Sequence, residues 1–159
     1  MMAGMIIQFI CRGNAFRSII AEAYLKSLDI PDVTVLSSGT VASTYKEVNA
    51  ANFPKTLALL KRHGIVQYAK DHYADDTQQS LLDTSNIAIC LNARAYEEAI
   101  STFRLPEKTY VWDVTDIGEA DRIATTDAER ERYSEDVYAE IVQKVTDLLD
   151  LIGIHGKQL

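Results

Sequence analysis

Apolar positions along this chain alternate between unbroken runs and helical spacing. Residues 5–10, Met-Ile-Ile-Gln-Phe-Ile, form a nearly continuous apolar run of strand length. Such a run marks a strand covered on both faces. From Ser18 the period changes, and Ile20, Tyr24 and Leu28 recur one helical turn apart until Pro31 stops the helix. Residues 33–39, Val-Thr-Val-Leu-Ser-Ser-Gly, read as a second strand. Phe53, Leu57 and Leu60 restore the helical period, and Gly64 is placed as its C-terminal cap. Residues 65–69 fit a short strand or a loop, and Thr77 is placed to cap a brief helix. Residues 86–91 make the best central strand after the first. Asn92 then caps a helix with Tyr96, Ala99, Ile100 and Phe103 as its apolar positions. Residues 108–112 form a last short strand. Thr126 and Glu129 have the spacing of a capping box. They open a long helix whose apolar stripe is Val137, Ile141, Val145, Leu148, Leu149 and Ile152. Residues 113–127 are the only loose stretch, and there is no repeat or low-complexity tract.

Strands alternating with amphipathic helices predict an α/β fold with a parallel sheet covered on both faces. Ligands of such sheets bind outside the carboxyl ends of the strands. Cys11 stands at the carboxyl end of the first one.

Composition narrows the function classes. A chain of 159 residues suggests one domain, 1–159, able to bury a core without a disulfide or metal staple. The formal net charge of -7 argues against nucleic acid or an anionic membrane surface as partner. Two cysteines, Cys11 and Cys90, make no secreted disulfide framework, so a reducing cytoplasm is the expected location. The first residues lack the positive flank and long apolar centre of a signal peptide, and no stretch has the length of a membrane span.

The candidate chemistry sits in Cys11-Arg12-Gly13-Asn14-Ala15-Phe16-Arg17-Ser18, between the first strand and first helix. If this stretch closes into a loop, backbone N–H groups from Arg12 to Arg17 converge on one point. With the helix dipole they form a nest for a tetrahedral oxyanion. Gly13 supplies unrestricted backbone, and Asn14 tolerates the left-handed region and can bond across the loop. Arg17 can hold two phosphate oxygens with its planar fork. The same field favours the thiolate of a cysteine placed there, and Ser18 is placed to donate to its sulfur. The competing reading makes Cys11 a small buried hydrophobe and Arg17 an exposed helix residue.

These residues resemble the low-molecular-weight protein tyrosine phosphatase family, whose loop reads C-x-G-N-x-C-R-S. Cys11, Gly13, Asn14, Arg17 and Ser18 match it, with Ala21–Glu22 following. Ser-Ser-Gly-Thr at 37–40 and Leu-Leu-Lys-Arg-His-Gly-Ile at 59–65 match further landmarks in order. The resemblance implies a four-stranded parallel sheet flanked by helices, with no metal or organic cofactor. It implies that Cys11 attacks phosphorus to give a phosphocysteine. Arg17 and the loop amides would stabilise the equatorial oxygens. A late aspartate would protonate the leaving oxygen, then activate water. The substrate would be a phosphorylated protein or a small aryl phosphate, and the product phosphate ion.

The sequence also departs from the family. The acid loop, W-D-x-P-D-P in related members, reads here Trp112, Asp113, Val114, Thr115, Asp116, Ile117. Asp116 is the first candidate for the acid and Asp113 the second. Phe16 replaces the loop's second cysteine, which in the family shields the nucleophile from over-oxidation. Ile19 replaces a usual proline, and the tyrosine expected after the acid loop is missing. Arg12 stands where an apolar residue is common and can line the mouth of the site. Tyr45 can wall the cleft and stack on an aromatic ring, and Thr40 can support the loop. Cys90 is expected to be inert core, and His63, His72 and His155, which lack metal-ligand spacing, surface or loop residues. A thiol-based arsenate reductase and a phosphate-binding module with weak catalysis are the alternatives.

Overall fold

The computed structural model describes residues 4–114 and 126–154. Four strands, β1 (Met5–Cys11), β2 (Val33–Gly39), β3 (Ile87–Cys90) and β4 (Lys108–Val111), form one sheet in the order β2-β1-β3-β4. Every pairing is parallel, as predicted. The helices are α1 (Arg17–Ser27), α2 (Lys46–Ala50), α3 (Asn52–Arg62), α4 (Gln79–Thr84), α5 (Ala93–Thr102) and α6 (Asp127–Leu151).

Side chains along β1 alternate between two cores, as a two-residue period requires. Ile7, Phe9 and Cys11 face a large cluster with Ile19 and Ile20 of α1, Leu59 and Leu60 of α3, and Val137, Ile141 and Val145 of α6. Ile10 faces a smaller cluster with Leu82 of α4, Ala88 and Cys90 of β3, and Ala95 of α5. Helices therefore cover both faces. Gln8, polar within the apolar run, points toward the smaller side. It is fully buried, and there it donates to Ser85 Oγ at 3.2 Å and accepts from Ser38 Oγ at 2.9 Å.

Helix ends follow local chemistry. Asn92 Oδ1 accepts from the Ala95 N–H at 2.9 Å and caps α5. Thr126 Oγ1 accepts from the Glu129 N–H at 3.1 Å and caps α6. Gly64 ends α3 at φ 74°. Its N–H bonds Lys61 O at 3.1 Å, and the next N–H bonds Leu60 O at 3.0 Å, which completes a Schellman motif.

Of the strand or loop expected at 65–69, the structure has the loop, with a single 3₁₀ turn at Val66–Tyr68. Two expectations are corrected. Thr77 does not cap α4, because its hydroxyl is shared with Ser38 at 2.8 Å. Ile100 is half exposed, so the buried stripe of α5 is Ala95 and Ala99. Helix α2 was not anticipated, being too short to show a period.

Asn92→Ala removes a side-chain cap and is expected to cost about 1 kcal/mol. Urea unfolding should show this as a lower midpoint with unchanged slope.

Candidate active site

Strands β1 and β3 are neighbours, and the connections leaving their carboxyl ends run in opposite directions, from β1 to β2 and from β3 to β4. A crevice opens at such a point, and Cys11 occupies it. From Cys11 the chain turns through residues 12–16 into α1, whose start has no side-chain cap.

The turn is held from several sides. Asn14 adopts φ 51°, in the left-handed region that asparagine tolerates best among non-glycine residues. It is fully buried. Its Nδ2 donates to Ser18 Oγ at 2.8 Å and Ser37 Oγ at 3.0 Å. Its Oδ1 accepts from Lys70 Nζ at 2.8 Å and from the Asp75 N–H at 2.9 Å. Ser37 Oγ donates to Glu22 Oε1 at 2.6 Å, and Lys26 donates to the other oxygen of Glu22 at 3.0 Å. Thr56 Oγ1 bonds the carbonyl of Ala15 at 2.6 Å from behind. The Thr40 and Val41 N–H groups bond the carbonyls of Cys11 and Arg12 at 2.9 and 3.0 Å. Gly39 is required here by proximity, since a Cβ on it would stand 2.6 Å from Arg12 O and 2.9 Å from Asn14 N.

These restraints aim the turn at one cavity of about 110 Å³, lined by Cys11, Arg12, Gly13, Ala15, Phe16, Arg17, Tyr45, Asn49 and Asn52. That is several times the share of one water in the liquid, about 30 Å³. Cys11 Sγ lies 2.9 Å from Ser18 Oγ and 3.2 Å from the Asn14 N–H. The N–H groups of Gly13, Ala15 and Phe16 have no acceptor among the described residues. Arg17 is buried at the start of α1, with Nη1 3.4 Å from the carbonyl of Val114.

Arg12 does not stand free at the mouth. Its guanidinium binds both oxygens of Glu98, at 2.8 and 3.1 Å, and lies 5.4 Å above the centre of the Tyr45 ring. The bond to Glu98 raises the Arg12 pKa. Burial opposes ionisation of Glu98, but the hydrogen bonds from Arg12 and Thr40 outweigh it and hold that carboxyl below its ordinary range. Thr40 thus supports the loop through both its N–H and its hydroxyl.

Of the two acid candidates, Asp116 lies outside the described residues. Asp113 is exposed, does not line the cavity, and its charge is felt by Glu140 on α6. Cys90 is fully buried, and desolvation pushes its thiol up to about 12. It pairs in register with Ile10 and shares that residue's cluster, so it lies on the sheet face opposite Cys11. His63 stacks on Tyr138 at 3.7 Å and bonds Glu135. His72 bonds Asp71 and Asp75, which raise its pKa in that order. His155 lies outside the described residues. No group of three or more His, Cys, Asp or Glu side chains among the described residues is placed to hold a metal ion.

Sequence reasoning did not find Lys70, Asn49, Asn52 or Glu98. Their connections to the loop run over sequence separations no local pattern reports, and Asn49 lies in the short α2.

The family described as low molecular weight phosphotyrosine protein phosphatase matches the chain over residues 6–153. No curated protein sequence matches it closely enough to count as a relative. Among solved structures, SP-PTP, a low molecular weight protein tyrosine phosphatase from Streptococcus pyogenes, superposes with a TM-score of 0.71 at 18% identity, over 97% of this chain and 95% of that one. The YwlE arginine phosphatase of Bacillus subtilis, in a mutant with a phosphorylated active-site serine, gives 0.66 at 22%, over 91% and 95%. A thioredoxin-dependent arsenate reductase from Corynebacterium glutamicum gives 0.67 at 20%, over 95% of this chain and 63% of that one. This chain therefore spans less than two thirds of that reductase. At these identities the superpositions speak for the fold.

Two outcomes check this geometry. Gly39→Ala should cost about 1–3 kcal/mol by overpacking against loop backbone and weaken vanadate binding, read by urea unfolding and by calorimetry. In the folded protein at pH 8, iodoacetamide should label Cys11 and leave Cys90 unmodified, read by peptide mass spectrometry.

Proposed function

Since this chain belongs to the low molecular weight phosphotyrosine protein phosphatase family, we propose that it hydrolyses phosphotyrosine-like aryl phosphomonoesters, with Cys11 as nucleophile. One observation carries the reading. The Cys11 sulfur, amides without acceptors among the described residues, and Arg17 line one cavity at the carboxyl end of the central strand β1.

In the first step Cys11 Sγ attacks phosphorus in line with the leaving oxygen. The S–P bond forms, the P–O bond to the aryl group breaks, and Asp116 delivers a proton to the departing oxygen. The amides of Gly13, Ala15 and Phe16 and the guanidinium of Arg17 bind the equatorial oxygens, where negative charge is spread. Ser18 donates to the sulfur and makes it a better leaving group for the second step. There Asp116 takes a proton from water, water oxygen attacks phosphorus, and the S–P bond breaks to release phosphate ion and the thiolate. Asp116 is favoured over Asp113 because Asp113 is exposed and does not line the cavity. The chain also touches Arg17 at Val114, two residues before Asp116.

Tyr45 supports aryl specificity. Its ring lines the cavity and is held by Arg12, itself clamped by Glu98, so a flat face is fixed beside the loop. The arsenate reductase reading needs a resolving cysteine, and Cys90 stands on the other face of the sheet. A free nucleophilic thiol suits a reducing cytoplasm, and no helix among the described residues is long and apolar enough to cross a membrane.

Purified protein should hydrolyse an aryl phosphate in the presence of a chelator, and Cys11→Ser should remove the activity. Surviving activity in that variant would refute the nucleophile. Asp116→Asn should lower kcat about 10²–10⁴-fold and abolish the basic limb of the pH–rate profile, while Asp113→Asn leaves both in place. The opposite pattern reassigns the acid, and no effect from either leaves a phosphate-binding module. A higher kcat/KM for phosphoarginine than for phosphotyrosine would overturn the aryl assignment.

A further inference from the structure

Lys70 does not line the cavity, yet it is tied to the loop that does. It lies on the connection between the 3₁₀ turn and α4, with its side chain only 6% exposed. Its ammonium donates to Asn14 Oδ1 at 2.8 Å, Asp75 Oδ2 at 2.9 Å and the carbonyl of Ser37 at 3.1 Å. All three N–H bonds are thus engaged. A buried ammonium is tolerated only where acceptors meet its protons, so this placement is specific.

The consequence is an order of protons. Asn14 Oδ1 already accepts from Lys70 and from the Asp75 N–H. The amide cannot turn over without setting its NH₂ group against two donors. Nδ2 therefore faces Ser18 and Ser37, and both hydroxyl oxygens accept from it. Ser37 donates its only hydroxyl hydrogen bond to Glu22. Ser18 has one proton left, and Cys11 Sγ lies 2.9 Å away. With the amide reversed, Ser18 would donate to Oδ1 instead, and the sulfur would lose that donor.

We propose that Lys70 is a positioning residue which, by fixing the orientation of the Asn14 amide, obliges Ser18 to donate to Cys11 and so keeps a hydrogen-bond donor on the nucleophile's sulfur. The inference rests on Cys11 as nucleophile and names what holds that donor in place. Other charged or titratable groups surround this centre. Arg17 and Glu22 come from α1, and Arg12, from the loop, is paired with Glu98 of α5. Tyr73, Asp75 and, behind Asp75, His72 come from the connection that carries Lys70. Among the described residues, Lys70 is the only charged side chain bonded to Asn14.

The test compares full-length wild type with Lys70→Met, Lys70→Gln and Lys70→Arg. Two readouts are taken across pH: the rate of Cys11 alkylation by iodoacetamide, resolved by peptide, and kcat/KM on an aryl phosphate. Thermal unfolding monitors the fold. In Lys70→Met the alkylation midpoint should rise by about one pH unit, a roughly tenfold slower reaction at acidic pH. The acid limb of kcat/KM should move with it, and Lys70→Arg should restore the wild-type midpoint. An unmoved midpoint in folded Lys70→Met would overturn the proposal, as would equal shifts in the Met and Arg variants. If Lys70→Met does not fold, the neutral Lys70→Gln is judged by the same criterion. Were wild type inactive on phosphoesters, the phosphatase reading would fail while the alkylation midpoints would still decide the part played by Lys70.

Discussion

The site depends on one side chain, the amide of Asn14, whose oxygen and nitrogen are each bonded to two partners. Its backbone sits at φ 51°, a conformation that costs most L residues about 1–2 kcal/mol. Four hydrogen bonds to a fully buried group, two donated and two accepted, offset that cost. The network spans the first turn of α1, the end of β2 and the connection before α4, three parts of the chain distant in sequence. It ends in two buried charges of opposite sign, Lys70 on the oxygen side and Glu22 beyond Ser37. A neutral amide between fixed charges is polarised in one direction, and buried hydrogen bonds reinforce one another in such an arrangement.

With the turn fixed in this way, the amides of Gly13, Ala15 and Phe16 have no acceptor among the described residues. A buried or half-buried N–H without an acceptor is a cost that folding alone does not explain. An oxyanion in the cavity would meet it. The loop is therefore stable in spite of its donors because Thr56, Thr40, Val41 and Asn14 hold its carbonyls and its bend from behind. Gly39 matters for the same reason: it lets β2 approach until its backbone nearly touches that of the loop.

Much of this was legible in the chain. The switch from apolar run to helical period at residues 10–18 located the strand, turn and helix, and Cys11, Gly13, Asn14, Arg17 and Ser18 fall together as that stretch predicts. The strands and the caps at Asn92 and Thr126 were readable because each rests on local spacing. What escaped was non-local. Lys70 looks like any lysine in a polar connection, since nothing within the stretch shows that its ammonium will be buried against Asn14, 56 residues earlier. Arg12 lines the cavity as expected, but its clamp by Glu98, 86 positions away, was not legible. Thr77 misled because a hydroxyl before a helix can serve as a cap or bond a neighbouring strand, and only packing decides.

The acidic balance of the chain and an anion site are compatible because they act over different distances. Exposed charges farther than about 8 Å from a bound anion are largely screened at physiological ionic strength. A net charge of -7 spread over the surface therefore weighs little against donors in direct contact. What matters is whether a carboxylate near the cavity is left uncompensated. Glu98 is matched by Arg12 and Thr40, Glu22 by Ser37 and Lys26, and Asp75 by Lys70 and His72. Each of these three carboxylates is thus engaged with donors of its own. The loop amides and Arg17 then set the local field at the point where Cys11 sits, and the sign of that field is independent of the sign of the whole molecule.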